Sequence, residues 1–107
     1  MMIRTMVVGA VLMASMSAPA MASMEIVKKA RCVACHAVDK KMVGPAYREV
    51  AAKYEGQAGA ASELFDKVRH GGSGTWGAIP MTPNDESRIS DDNLKAAIAW
   101  ILAGAKD

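Results

Sequence analysis

An all-α fold of about four short helices wrapped around one covalently bound cofactor is what the sequence predicts, and three observations carry that expectation. Apolar residues recur at helical spacing in four separate stretches. No β-branched alternating run lies near residue 32, so a βαβ redox fold finds no support there. The third observation is Cys32-Val33-Ala34-Cys35-His36, a C-x-x-C pair followed at once by histidine, the attachment pattern of a c-type haem. Two thiols three residues apart on one turn can form thioethers to the two vinyl groups of one porphyrin, and the adjacent imidazole then falls under the iron.

Competing readings of the five residues meet obstacles. A tetrahedral zinc site needs four ligands, and the chain holds only two cysteines and two histidines, one of them directly beside Cys35. A disulfide between Cys32 and Cys35 would close a very small loop and restrict the unfolded chain little.

Residues 1–22 read as a secretory signal: Arg4 is the positive n-region, Met6 to Met16 the apolar h-region, and Ala20-Met21-Ala22 the small-residue cleavage pattern. Cleavage after Ala22, export to the periplasm and a soluble chain with no membrane anchor are expected, because the apolar run is too short to span a bilayer. Residues 23–107 then form one small domain, 85 residues long with one phenylalanine, two tyrosines and two tryptophans. Such a chain buries a modest core and needs a staple, which a large apolar cofactor would supply. With Arg4 gone, 12 basic side chains stand against 11 acidic ones, a balance that argues against nucleic acid. Lys28, Lys29, Arg31, Lys40, Lys41 and Arg48 cluster on both sides of the motif, either as a solvated face or as a docking surface for acidic partners.

The first helix is expected from Met24 to about Ala34, with Ile26, Val27, Ala30 and Val33 inward and the haem motif at its C-terminal end. Gly44-Pro45 marks a loop, and Tyr47 to Tyr54 a second helix ended by Gly56. The third runs from about Ala60 to His70 on Leu64, Phe65 and Val68, and Gly71-Gly72 stop it. Ser90 caps the last, with Asp91 and Asp92 in its first turn and Leu94, Ala97, Ile98, Ile101 and Leu102 inward. Gly71 to Arg88 shows no periodicity and reads as a long loop. A loop of that length in so small a domain is usually functional.

A haem held by His36 alone leaves one iron face open. Met24, Met42 and Met81 remain after signal cleavage. Met81 is the preferred second ligand, because Pro80 and Pro83 fix the backbone around it in Ile79-Pro80-Met81-Thr82-Pro83. His70 is the rival, at a helix end where the dipole also explains a surface histidine. Met24 adjoins the cleaved terminus, and Met42 has a short tether from His36.

These segments, with Lys41-Met42-Val43-Gly44-Pro45-Ala46-Tyr47, Gly56-Gln57-Ala58-Gly59, Gly74-Thr75-Trp76-Gly77 and Asn84, resemble the small bacterial class I cytochromes c over nearly all of residues 23–107. The resemblance implies the small cytochrome c fold and one haem c attached through Cys32 and Cys35, with His36 and Met81 as the iron ligands. It also implies a Pro45 carbonyl that accepts from His36, a Trp76 indole directed to a haem propionate with Lys67 as a charge partner, and Asn84 near the Met81 sulfur. Its function would be outer-sphere electron transfer without enzymatic activity, by a monomer serving redox proteins such as nitrite reductase, a terminal oxidase or peroxidase and a quinol-oxidising complex. The alternative is a five-coordinate haem enzyme or gas sensor with Met81 dissociated, for which only His70 offers acid–base chemistry. Two departures from the family pattern stand out: Asp85 to Ser90 is longer than usual, and His70 replaces a polar uncharged residue.

Overall fold

A computed structural model describes residues 23–106; the expected signal and its cleavage site lie outside the described residues. Four α-helices follow in the order the apolar spacing predicts: α1 Ser23–Lys29, α2 Tyr47–Tyr54, α3 Ala60–His70 and α4 Asp91–Leu102. The helix α4 packs against each of the other three, and its buried Leu94, Ala97 and Ile98 meet Ile26, Val27 and Ala30, Tyr47, Val50 and Tyr54, and Leu64 in one core.

The cap of α4 is the one the sequence predicts. Ser90 Oγ accepts from the Asn93 N–H at 3.2 Å, and Asp91 and Asp92 lie at the positive end of the helix. Beyond its other end the chain folds back. Ala105 N–H donates to the Trp100 carbonyl at 2.9 Å, and the Trp100 indole donates to the Lys106 carbonyl at 2.9 Å.

Two expectations need correction. The first helix does not run to Ala34: α1 ends at Lys29, Arg31 takes a left-handed backbone (φ 64°), and Cys32–Ala34 form a separate 3-10 turn. Val33, assigned to the inner face, is consequently exposed. The break re-aims the motif, and nothing in Ala30-Arg31 announces it, since neither glycine nor proline is present.

The long loop is also not irregular throughout. Within Gly71 to Arg88, strands β1 Gly72–Gly74 and β2 Gly77–Met81 pair antiparallel, with Gly72 opposite Met81, Gly74 opposite Gly77, and Thr75-Trp76 at the tip. The hairpin springs from α3, where Gly71 (φ 71°) donates its N–H to the Lys67 carbonyl at 2.7 Å. Gly71 is also a point of close approach: a Cβ there would overlap the Met81 carbonyl oxygen and lie 3.0 Å from the Pro83 nitrogen.

The stretch from Asp85 to Ser90 has a defined shape. Asp85 Oδ1 accepts from Ser87 Oγ at 2.6 Å, Ser87 N at 3.0 Å and Arg88 N at 3.2 Å, while the Asp85 carbonyl accepts from Ile89 N at 3.1 Å. This turn buries Ile89 in the core and delivers the chain to Ser90. The Ser87 hydroxyl, then the Arg88 N–H, hold the Asp85 carboxyl below its ordinary 3.8. A depressed folded-state value stabilises above the ordinary one and fades as pH falls through the folded-state value. Asp85→Ala should therefore lower the thermal midpoint at neutral pH, with the gap to the native chain closing in strongly acidic solution. Thermal melts across the acid range check this; a gap independent of pH would contradict it.

Candidate functional site

The His36 ring is fixed from three directions. Its Nδ1–H donates to the Pro45 carbonyl at 2.8 Å, which leaves Nε2 as the free lone-pair nitrogen. Tyr47 stacks on it with centroids 5.2 Å apart and planes 18° apart, and Tyr47 is braced edge-on by Trp100 at 5.8 Å. Gly44 lies against the ring, where a Cβ would overlap it, 2.8 Å from Nδ1 and 2.9 Å from Nε2. Backbone bonds close the loop around this arrangement: Gly44 N to the Cys35 carbonyl at 2.8 Å, and Tyr47 N to the Ala37 carbonyl at 2.9 Å. The sequence therefore places a glycine where only hydrogen fits and a proline carbonyl where an imidazole N–H needs an acceptor.

Cys32 and Cys35 are free thiols, the first half-buried and the second exposed. The turn that carries them is closed by the Cys35 and His36 N–H groups, which both donate to the Cys32 carbonyl, at 3.1 and 2.9 Å. Burial pushes the Cys32 thiol up, partly offset by the Tyr47 hydroxyl. Burial, and then the neighbouring Cys32, push the Tyr47 phenol well above its ordinary value, so both groups stay neutral beside the ring.

Met81 ends β2 and is half-buried. The following loop is held by Asn84, whose Nδ2 donates to the Thr82 carbonyl at 3.1 Å and the Val68 carbonyl at 3.3 Å; its backbone N–H also reaches Val68, at 3.0 Å. Both amide hydrogens of Asn84, a residue implied to lie near the Met81 sulfur, are thus directed to main-chain carbonyls. Trp76, at the hairpin tip, is exposed, with the Lys53 ammonium 5.3 Å from its ring centroid. Lys67 donates to Thr75 Oγ1 beside it and to Tyr54 Oη at 3.4 Å, with Glu63 Oε1 at 3.9 Å. The structure thereby brings Lys67, Thr75, Trp76 and Lys53 together at the tip. His70 is exposed at the end of α3.

These residues fit a haem. Two unpaired thiols share one turn, an oriented imidazole follows directly, and a glycine gives clearance beside it. Val33, Met42, Val43, Trp76 and Ile79 present apolar surface that this small core leaves uncovered. Two residues of this arrangement escaped the sequence-based candidates. Gly44 and Tyr47 flank Pro45 and are readable only as its neighbours.

Comparison with known proteins agrees with the geometry. The family model described as Cytochrome c matches residues 20–105. The chain belongs to the cytochrome c family. Over 76 residues it is 53% identical to cytochrome c-551 of Pseudomonas aeruginosa, spanning 71% of this chain and 70% of that one. It is 49% identical over 78 residues to cytochrome c-551 of Azotobacter vinelandii, 73% of this chain and 92% of that one. The crystal structure of wild-type Nitrosomonas europaea cytochrome c552 superposes with a TM-score of 0.71 at 46% identity, covering 76% of this chain and 98% of that chain.

The chain is accordingly a small class I c-type cytochrome, an electron-transfer protein rather than an enzyme, and its cofactor is haem c attached through Cys32 and Cys35. The comparisons give no support to the alternative of a five-coordinate enzyme or sensor. Among the described residues no helix is long and apolar enough to cross a membrane.

Proposed function

We propose that this cytochrome is a periplasmic carrier of single electrons whose iron is held between His36 and Met81. The observation that carries the reading is the His36–Pro45 hydrogen bond of 2.8 Å, which fixes tautomer and ring orientation together and points the remaining nitrogen away from the protein carbonyl. When bound, haem c supplies a one-electron couple. The chain's residues decide what that couple is used for. His36 offers a basic, immobile nitrogen. Met81 offers a soft thioether that favours the reduced state, on a strand whose backbone Gly71 and the two prolines confine. With both in place no position is left for a substrate, and one geometry serves both oxidation states.

Partners would dock briefly by charge. Lys28, Lys29, Arg31, Lys40, Lys41 and Arg48 are all exposed, and of the six Arg48 is paired, with Asp39. The resemblance favours redox proteins as those partners, with nitrite reductase, a terminal oxidase or peroxidase, and a quinol-oxidising complex as candidates for a monomer released by cleavage after Ala22. A spectroscopic redox titration of the holoprotein should give one reversible one-electron transition at a positive potential, with low-spin spectra at both ends. A high-spin spectrum in either state would sink the two-ligand reading.

A further inference from the structure

The Arg69 side chain makes three hydrogen bonds to groups distant in sequence, and the electron-transfer reading gives it no role. It lies in the last turn of α3 with its side chain only 10% exposed. One guanidinium joins three separate pieces of chain. Its Nη1 donates to the Asn84 carbonyl at 3.2 Å and the Ile89 carbonyl at 2.7 Å, and its Nη2 to Asp91 Oδ1 at 2.6 Å. The guanidinium also lies over Phe65, its carbon 5.3 Å from the ring centroid. The two carbonyls bracket the Asp85 turn, and Asn84 is the residue whose side chain clamps Thr82, next to Met81. A planar fork with five N–H donors can satisfy acceptors that diverge in this way, whereas an ammonium cannot span them.

We infer that Arg69 is a positioning residue for the second axial ligand, holding the Met81 segment closed by tying the two ends of the Asp85 turn to α3. This inference rests on the reading that Met81 binds the iron. Segments of this kind open locally at a free-energy cost below that of global unfolding, and the cost is set by the bonds that must break. Opening the Met81 segment here requires the Asn84 carbonyl to leave a charged donor, and bonds to charged donors are the stronger kind. An external ligand that reaches the iron only when Met81 is away binds with an apparent affinity proportional to the open fraction.

The test is imidazole titration of the ferric holoprotein, followed by loss of the weak far-red sulfur-to-iron band, in the native chain and in Arg69→Met, Arg69→Lys and Ile98→Val. Arg69→Met keeps the apolar stem and removes the fork; it should tighten apparent imidazole binding roughly tenfold to a hundredfold. Arg69→Lys should fall between it and the native chain. Ile98→Val removes a methylene from the core between helices and lowers global stability without touching the segment, so its imidazole affinity should stay native. Native affinity in Arg69→Met, or an equal change in Ile98→Val, overturns the assignment. Absence of the far-red band from the native chain overturns the Met81 ligation itself, and this inference with it.

Discussion

Replacing Cys32 and Cys35 together by alanine is expected to give a chain that releases all of its haem on acid extraction and has no cooperative thermal transition near neutral pH. The buried core consists of Ile26, Val27, Ala30, Ala46, Tyr47, Val50, Tyr54, Ala60, Leu64, Ile89, Leu94, Ala97, Ile98 and Ala105. Five of these are alanines. Domains of this size usually need a staple to offset the conformational entropy of folding. Val33, Met42, Val43 and Ile79 are exposed in the protein alone, so the surface a haem would cover is withheld from water only when the haem is retained. The tether also keeps His36 beside the iron at high effective concentration, which a non-covalent haem forfeits. Haem staining on a denaturing gel and far-ultraviolet circular dichroism read the two consequences separately. A double variant with native-like cooperative unfolding would contradict the dependence of this fold on its cofactor.

Met81→Ala has the second large effect, on function rather than on folding. The hairpin that carries Met81 is secured by Gly71, by the backbone pairing of Gly72 with Met81, and by Asn84, none of which involves the thioether. The variant should therefore fold and keep its covalent haem. It should lose the far-red band and drop in midpoint potential by on the order of 0.1–0.3 V, a modest part of the range of about 0.8 V that axial ligation spans. Potentiometry on native and variant holoprotein measures the drop, and an unchanged potential would point to another residue as the ligand. His70, the other candidate, is exposed at the end of α3, and His70→Gln should leave potential and band as they are in the native chain.

Much of this was legible in the sequence because helices announce their buried faces. Leu94, Ala97 and Ile98, or Val50 and Tyr54, recur at helical spacing and are buried where that spacing puts them. Ser90 is readable as a cap because its hydroxyl has one nearby use, the Asn93 N–H. The hairpin was not legible for a matching reason: β1 is Gly-Ser-Gly, β2 is almost wholly exposed, and an exposed pair shows no alternation of apolar and polar residues. The break at Arg31 left no trace either, since a left-handed arginine depends on its surroundings and not on its own preference.

The site divides along the same line. Cys32, Cys35 and His36 are recognisable from spacing alone, because the chemistry fixes the spacing. The Pro45 carbonyl is a main-chain atom, invisible to residue-type reasoning, and it entered through family resemblance before the 2.8 Å contact to His36 gave it a geometry. The three-way grip of Arg69 joins residues 15 to 22 positions apart, a separation that local pattern reading does not cross.

The central claim is that His36 and Met81 close the iron on both faces, which makes this cytochrome a carrier and leaves no room for substrate chemistry. Mixing the reduced native holoprotein with carbon monoxide in a stopped-flow spectrometer tests it most directly. The account predicts a spectrum that stays unchanged on the mixing timescale, while Met81→Ala binds carbon monoxide rapidly. Rapid binding by the native protein would show an open iron face and contradict the account.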